Sequence, residues 1–92
     1  MDINETYRLI ECIPADDHEM IDFYEDKAKG LAREIALDLI NSPTIFTPAI
    51  WQKMRTRQDV EAVIDMSGSH HPRAIKEIAA EIADIMFIQQ RH

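Results

Sequence analysis

Apolar residues along this chain recur every three or four positions, and strand-like alternation of apolar and polar residues is hard to find. The pattern predicts an all-α protein. A first short helix is expected over residues 4–12, stopped at Ile13-Pro14 because proline pushes the residue before it out of helical geometry. Asp16 then offers a cap for a second helix, with Glu19 three residues on in capping-box spacing.

That second helix is expected to reach about residue 41, since Ile21, Tyr24, Ala28, Leu31, Ile35 and Leu39 form one stripe. Gly30 falls opposite the stripe, where it costs up to ~1 kcal/mol relative to alanine. Residues 42–46 read as a loop. Thr47 and Pro48 restart a helix with a cap and a proline at its first position, and this helix carries Ile50, Trp51 and Met54. A joint is expected at Thr56, whose spacing to Asp59 again fits a capping box. The fourth helix buries Val60, Val63 and Ile64 and stops at Ser67-Gly68. The last helix begins near Pro72 and runs close to the C-terminus, with Ile75, Ile78, Ile82 and Ile85 on a stripe roughly 80° wide. The expected architecture is a small single-domain bundle of four to five helices, with a long second helix and a long C-terminal one.

Length and composition agree with one folded domain: 92 residues with 46% apolar and 29% charged side chains have enough apolar surface to form a core. Cys12 is the single cysteine, so neither an intrachain disulfide framework nor a cysteine-rich zinc site is available. The first residues lack the basic and apolar regions of a secretory signal, and no apolar run is long enough to span a membrane. A cytoplasmic protein is expected.

Charge changes the picture more. Residues 1–26 hold nine carboxylates against Arg8 alone, a net of -8, within a chain whose total is -7. The remainder is close to neutral. Such an end disfavours nucleic acid and favours a basic partner. Asp16, Asp17, Glu19, Asp22, Glu25 and Asp26 crowd the start of the second helix. Acids in the first turn oppose the helix dipole, but Asp22, Glu25 and Asp26 lie beyond that turn, where their mutual repulsion has no such return. Trp51, beside Ile45, Phe46 and Ile50, reads as core packing or as an aromatic anchor for a partner. The isoleucine stripe of the last helix serves the core and would also suit a dimer seam.

The last helix carries a second group of acids, Glu77, Glu81 and Asp84. Glu81-Ile-Ala-Asp84 resembles the second acidic motif, E-x-x-D, of the all-helical MazG-type nucleotide pyrophosphohydrolases. That resemblance implies a magnesium ion held by carboxylates from two helices and bridging substrate phosphates. The family's first motif, E-x-x-E, has no match in register: Glu34 is followed by Ile35, Ala36 and Leu37, with Asp38 one place late, and Asp22 with Glu25 lie too far upstream.

His70 and His71 are adjacent and do not share a helix face, which favours a loop or capping role before Pro72 over metal binding. Cys12 has no neighbouring basic activator. Residues 58–75 could form a helix-turn-helix with Arg55, Arg57, Arg73 and Lys76 toward phosphate, but its second helix soon turns acidic. The reading that results is a small acidic protein with no catalysis or cofactor of its own. It is expected to bind, and to inhibit or regulate, a protein with a basic, nucleic-acid-binding surface. Short acidic chains of this character are frequent among phage and mobile-element inhibitors of nucleic-acid enzymes. The magnesium-dependent pyrophosphohydrolase is the alternative and DNA binding the third.

Overall fold

The computed structural model describes residues 1–67 and 71–88. Five α-helices follow one another: α1 (Ile3–Cys12), α2 (His18–Ile40), α3 (Pro48–Lys53), α4 (Arg57–Ser67) and α5 (Pro72–Ala83). The backbone then widens into a π-helical turn over Asp84–Ile88. No strand occurs among the described residues. The all-α architecture, the long second helix and the long C-terminal helix are as the apolar pattern predicts.

Each helix starts where a side chain accepts an otherwise orphaned backbone N–H. Asp2 accepts from Glu5 at 2.8 Å and Thr47 from Ile50 at 3.3 Å, with Pro48 at the first helical position. Thr56 and Asp59 form the expected reciprocal box: the Asp59 carboxylate accepts from Arg55 N at 2.7 Å and Thr56 N at 2.9 Å, and the Thr56 hydroxyl accepts from Asp59 N. The two backbone donors hold the Asp59 carboxyl below its usual value. At α2 the cap is Asp17 and not Asp16. A turn closed by Asp17 N–H to Pro14 C=O at 3.0 Å brings Asp17 to the helix start, where it accepts from Met20 N at 3.3 Å. The glycine stop expected at Gly68 lies outside the described residues.

The interior is organised by α2 lying against α5, its most extensive helix contact. Ala28, Ala32 and Ala36 are completely buried, as are Ile78, Ala79 and Ile82. Ala28, Ala32 and Ala36, four residues apart, form a shallow ridge that suits close helix packing, and Ile21, Tyr24, Leu31, Ile35 and Leu39 are half-buried against the same core. The centre of the buried stripe is therefore the alanine line, with the larger residues as its margins. Ile75 and Ile85 are half-buried at the ends of the isoleucine stripe. Val60 and Ile64 enter from α4, and Ile3, Tyr7 and Ile10 from α1, closing the same core. Each fully buried aliphatic side chain contributes roughly 1.5–3 kcal/mol.

The molecule measures 44 × 31 × 19 Å, with a radius of gyration of 14.2 Å against about 12 Å for a rounder domain of this length. Helices about 10 Å across make that least dimension two layers deep. Among the described residues, the outer face of α2 is left uncovered, with Phe23 and Leu37 exposed on it. A Cβ built at Gly30, in the middle of that face, would meet no atom within 4 Å. Gly30 has an ordinary negative φ, so neither backbone geometry nor packing against the described residues requires a glycine there. No described helix is long and apolar enough to cross a membrane.

Candidate functional site

The turn from Pro14 to Asp17 places a bare acidic surface at the start of α2. Asp16, Glu19, Asp22 and Asp26 are exposed and make no ion pair among the described residues, while Asp17 is exposed and occupied as the cap. Glu25 departs from the group. It faces inward and meets Arg73 at 3.0 Å, tying α2 to the first turn of α5. Two apolar side chains stand among these acids: Met20 is 43% exposed and Phe23 62%. Phe23 meets Tyr24 edge to face, with ring centroids 5.1 Å apart, and Tyr24 in turn packs on the core. Sequence reasoning passed over Phe23. Its signal was available: at 100° per residue it falls roughly opposite the Ile21–Leu39 stripe, where a phenylalanine has no core to enter.

Trp51 is half-buried and stacks on the buried Phe46 at 4.8 Å, so it packs against the core margin. Nearby, Ile45, Ile50, Met54 and Val63 line an open groove of about 560 Å³, with Lys53 and Asp59 on its rim.

The acids of the last helix are engaged elsewhere. Glu81 receives Arg33 of α2 at 3.2 Å, and Asp84 receives Arg57 of α4 at 3.5 Å. Each pair uses one oxygen of its carboxylate, Oε2 of Glu81 and Oδ1 of Asp84. Glu34 and Asp38 are exposed on α2, and the described residues contain no group of three or more His, Cys, Asp or Glu side chains placed to hold a metal. Of the cations proposed to face DNA phosphate, Arg57 and Arg73 are on carboxylates and Arg55 donates to the Met54 carbonyl at 2.8 Å. Cys12 is exposed.

His71 has the capping role expected before Pro72, within a junction of α1, α2 and α5. Its backbone N–H donates to Asn4 Oδ1 at 2.8 Å, and its Nδ1 accepts from Arg73 N at 3.2 Å. Because Nδ1 accepts, Nε2 carries the proton and donates to Glu11 at 2.6 Å. The His71 ring stacks on Tyr7 at 5.9 Å, and the Arg73 guanidinium lies 4.8 Å from the same ring. The Tyr7 hydroxyl is buried without a well-formed hydrogen bond; the Glu77 carboxylate is its acidic neighbour. Burial first, and the charge of Glu77 second, push the Tyr7 phenol up to about 12, with Arg73 acting the other way.

Comparison of the chain with protein-family models, curated proteins and solved structures finds no match.

Proposed function

We propose that this chain is a non-enzymatic binding protein that docks on the basic, phosphate-holding surface of a nucleic-acid-processing protein and blocks it. The carrying observation is the bare acidic start of α2, where Asp16, Glu19 and Asp22 project into solvent with no cation of the described chain against them. Elsewhere Glu25, Glu81 and Asp84 each meet an arginine. Carboxylates presented in a cluster match a surface built for phosphates, and the field they create speeds encounter. Met20, exposed among them, adds apolar contact that slows release.

The test is capture of binding proteins from a lysate of the native host by the immobilised chain, at ionic strengths from about 0.05 to 0.3 M. Retention of a nucleic-acid-binding protein that falls steeply over this range, and is lost with Asp16→Lys plus Asp22→Lys, is the expected result. A bound protein indifferent to both salt and charge reversal rejects the acidic surface as the interface. Release of pyrophosphate from nucleoside triphosphates with magnesium, abolished by Glu81→Gln, would establish the enzymatic alternative instead.

A further inference from the structure

We propose that two copies of this chain pair through the outer face of α2, antiparallel and crossing near Gly30. Three features of that face lead there. Phe23, Gly30 and Leu37 are spaced seven residues apart and form one exposed line, with Phe23 62% and Leu37 42% accessible. A seven-residue line drifts only ~20° per step on a helix, which makes it the seam along which two helices coil. Gly30 sits in the middle of the 23-residue helix, destabilising it by up to ~1 kcal/mol with no packing against the described residues to offset the loss. A second helix approaching closely at that point supplies the missing reason.

The charges flanking the line match themselves. Asp26 and Arg33 lie on one side of it, Lys27 and Glu34 on the other. Each of these pairs is seven residues apart, too far for contact within one helix. A two-fold axis through Gly30, perpendicular to the helices, sets each flank against its own copy. Asp26 then faces Arg33 of the second copy, Lys27 faces Glu34 of the second copy, and Phe23 meets Leu37 at both ends. Arg33 holds Glu81 through Nη1, leaving the other edge of its guanidinium for Asp26.

Parallel pairing would also oppose unlike charges, since Asp26 would then face Lys27. It would, however, place the two acidic helix starts side by side. Antiparallel pairing separates them by the length of α2, ~34 Å, several times the ~8 Å over which charge is felt at physiological salt. Asp26 and Phe23 then belong to the seam, while Asp16, Asp17, Glu19, Asp22 and Met20 remain outside it at both ends.

Sedimentation equilibrium of the purified chain alone, over a concentration series from micromolar to millimolar, tests this. A monomer–dimer equilibrium is expected. Gly30→Leu should abolish it while the thermal midpoint of the monomer is held or raised, because the new side chain meets only solvent. Lys27→Glu should weaken association by at least about tenfold. Adding Glu34→Lys should restore it, whereas adding Asp26→Lys should not. A wild type that stays monomeric throughout, a Gly30→Leu variant that dimerises equally well, or rescue by Asp26→Lys in place of Glu34→Lys would overturn the proposal. Asp16→Lys with Asp22→Lys leaves self-association in place, so failure of partner docking and failure of dimerisation are read separately.

Discussion

Replacing Tyr7 by phenylalanine removes one buried atom from the junction of α1, α2 and α5 and should stabilise the protein. Tyr7 is 1% exposed, and its ring contacts with His71 and Arg73 do not involve the hydroxyl. The hydroxyl itself lacks a well-formed hydrogen bond, although burial has stripped it of water. An unsatisfied buried hydroxyl costs roughly 1–3 kcal/mol; the weak, poorly aligned contact to Glu77 and some loss of packing offset part of this, so Tyr7→Phe is expected to gain at most about 1 kcal/mol at neutral pH. The pH dependence supplies an independent readout. With the folded phenol at about 12 and the usual value at 10.0, the unfolded chain ionises first. Stability is therefore complete below pH 10 and declines as pH climbs toward 12, by roughly 3 kcal/mol in total at ~1.4 kcal/mol per pH unit. Phenylalanine cannot ionise, so the variant lacks that decline. Urea unfolding followed by far-ultraviolet circular dichroism, at pH 7.5 and in steps from 9 to 11.5, measures both effects as a difference between the two proteins. A variant less stable by 1 kcal/mol or more at pH 7.5 would show that the hydroxyl has a partner. Parallel loss of stability in both proteins above pH 10 would refute the burial argument.

Asp17→Ala should cost about 1 kcal/mol through loss of the α2 cap, while Asp16→Ala stays within about 0.5 kcal/mol of wild type; equal losses in urea titrations would mean the cap is shared. Ala32→Leu wedges α2 from α5 and should destabilise by about 1–3 kcal/mol, and an unchanged denaturation midpoint would show that the alanine line does not set their separation. The Asp59 carboxyl, held below its ordinary 3.8 by two backbone N–H groups, contributes stability that is complete above that value and disappears as pH falls through the lower folded one. Asp59→Asn should remove this part of the acid sensitivity; an acid-unfolding profile that keeps the wild-type slope below pH 4 would contradict it.

Local signals in the sequence identified helix starts well. Thr47-Pro48, Thr56 with Asp59 and His71-Pro72 are each settled by atoms within four residues of one another, so they can be read without the fold. Asp16 and Asp17 offer the same carboxylate one position apart, and a backbone turn to Pro14 decides between them. The alanine line of α2 was obscured for another reason. Apolar patterning weights large side chains, whereas helix packing also selects small ones, and only the complete burial of Ala28, Ala32 and Ala36 in the folded chain reveals the preference. At the acidic surface, the cluster itself was legible. The withdrawal of Glu25 to Arg73, and of Glu81 and Asp84 to Arg33 and Arg57, depends on helices that meet only in three dimensions.

The tie from the Asn4 side chain to the His71 backbone spans 67 positions along the chain. During vectorial synthesis α1 emerges well before α5, and Tyr7 has neither His71 nor Arg73 to lie against until that later segment follows. Contacts so far apart in sequence raise the contact order, which slows folding. Nascent chains halted before residue 71 would hold α1 against α2 but leave Tyr7 without its His71 and Arg73 cover, an aromatic patch open to chaperones or proteases.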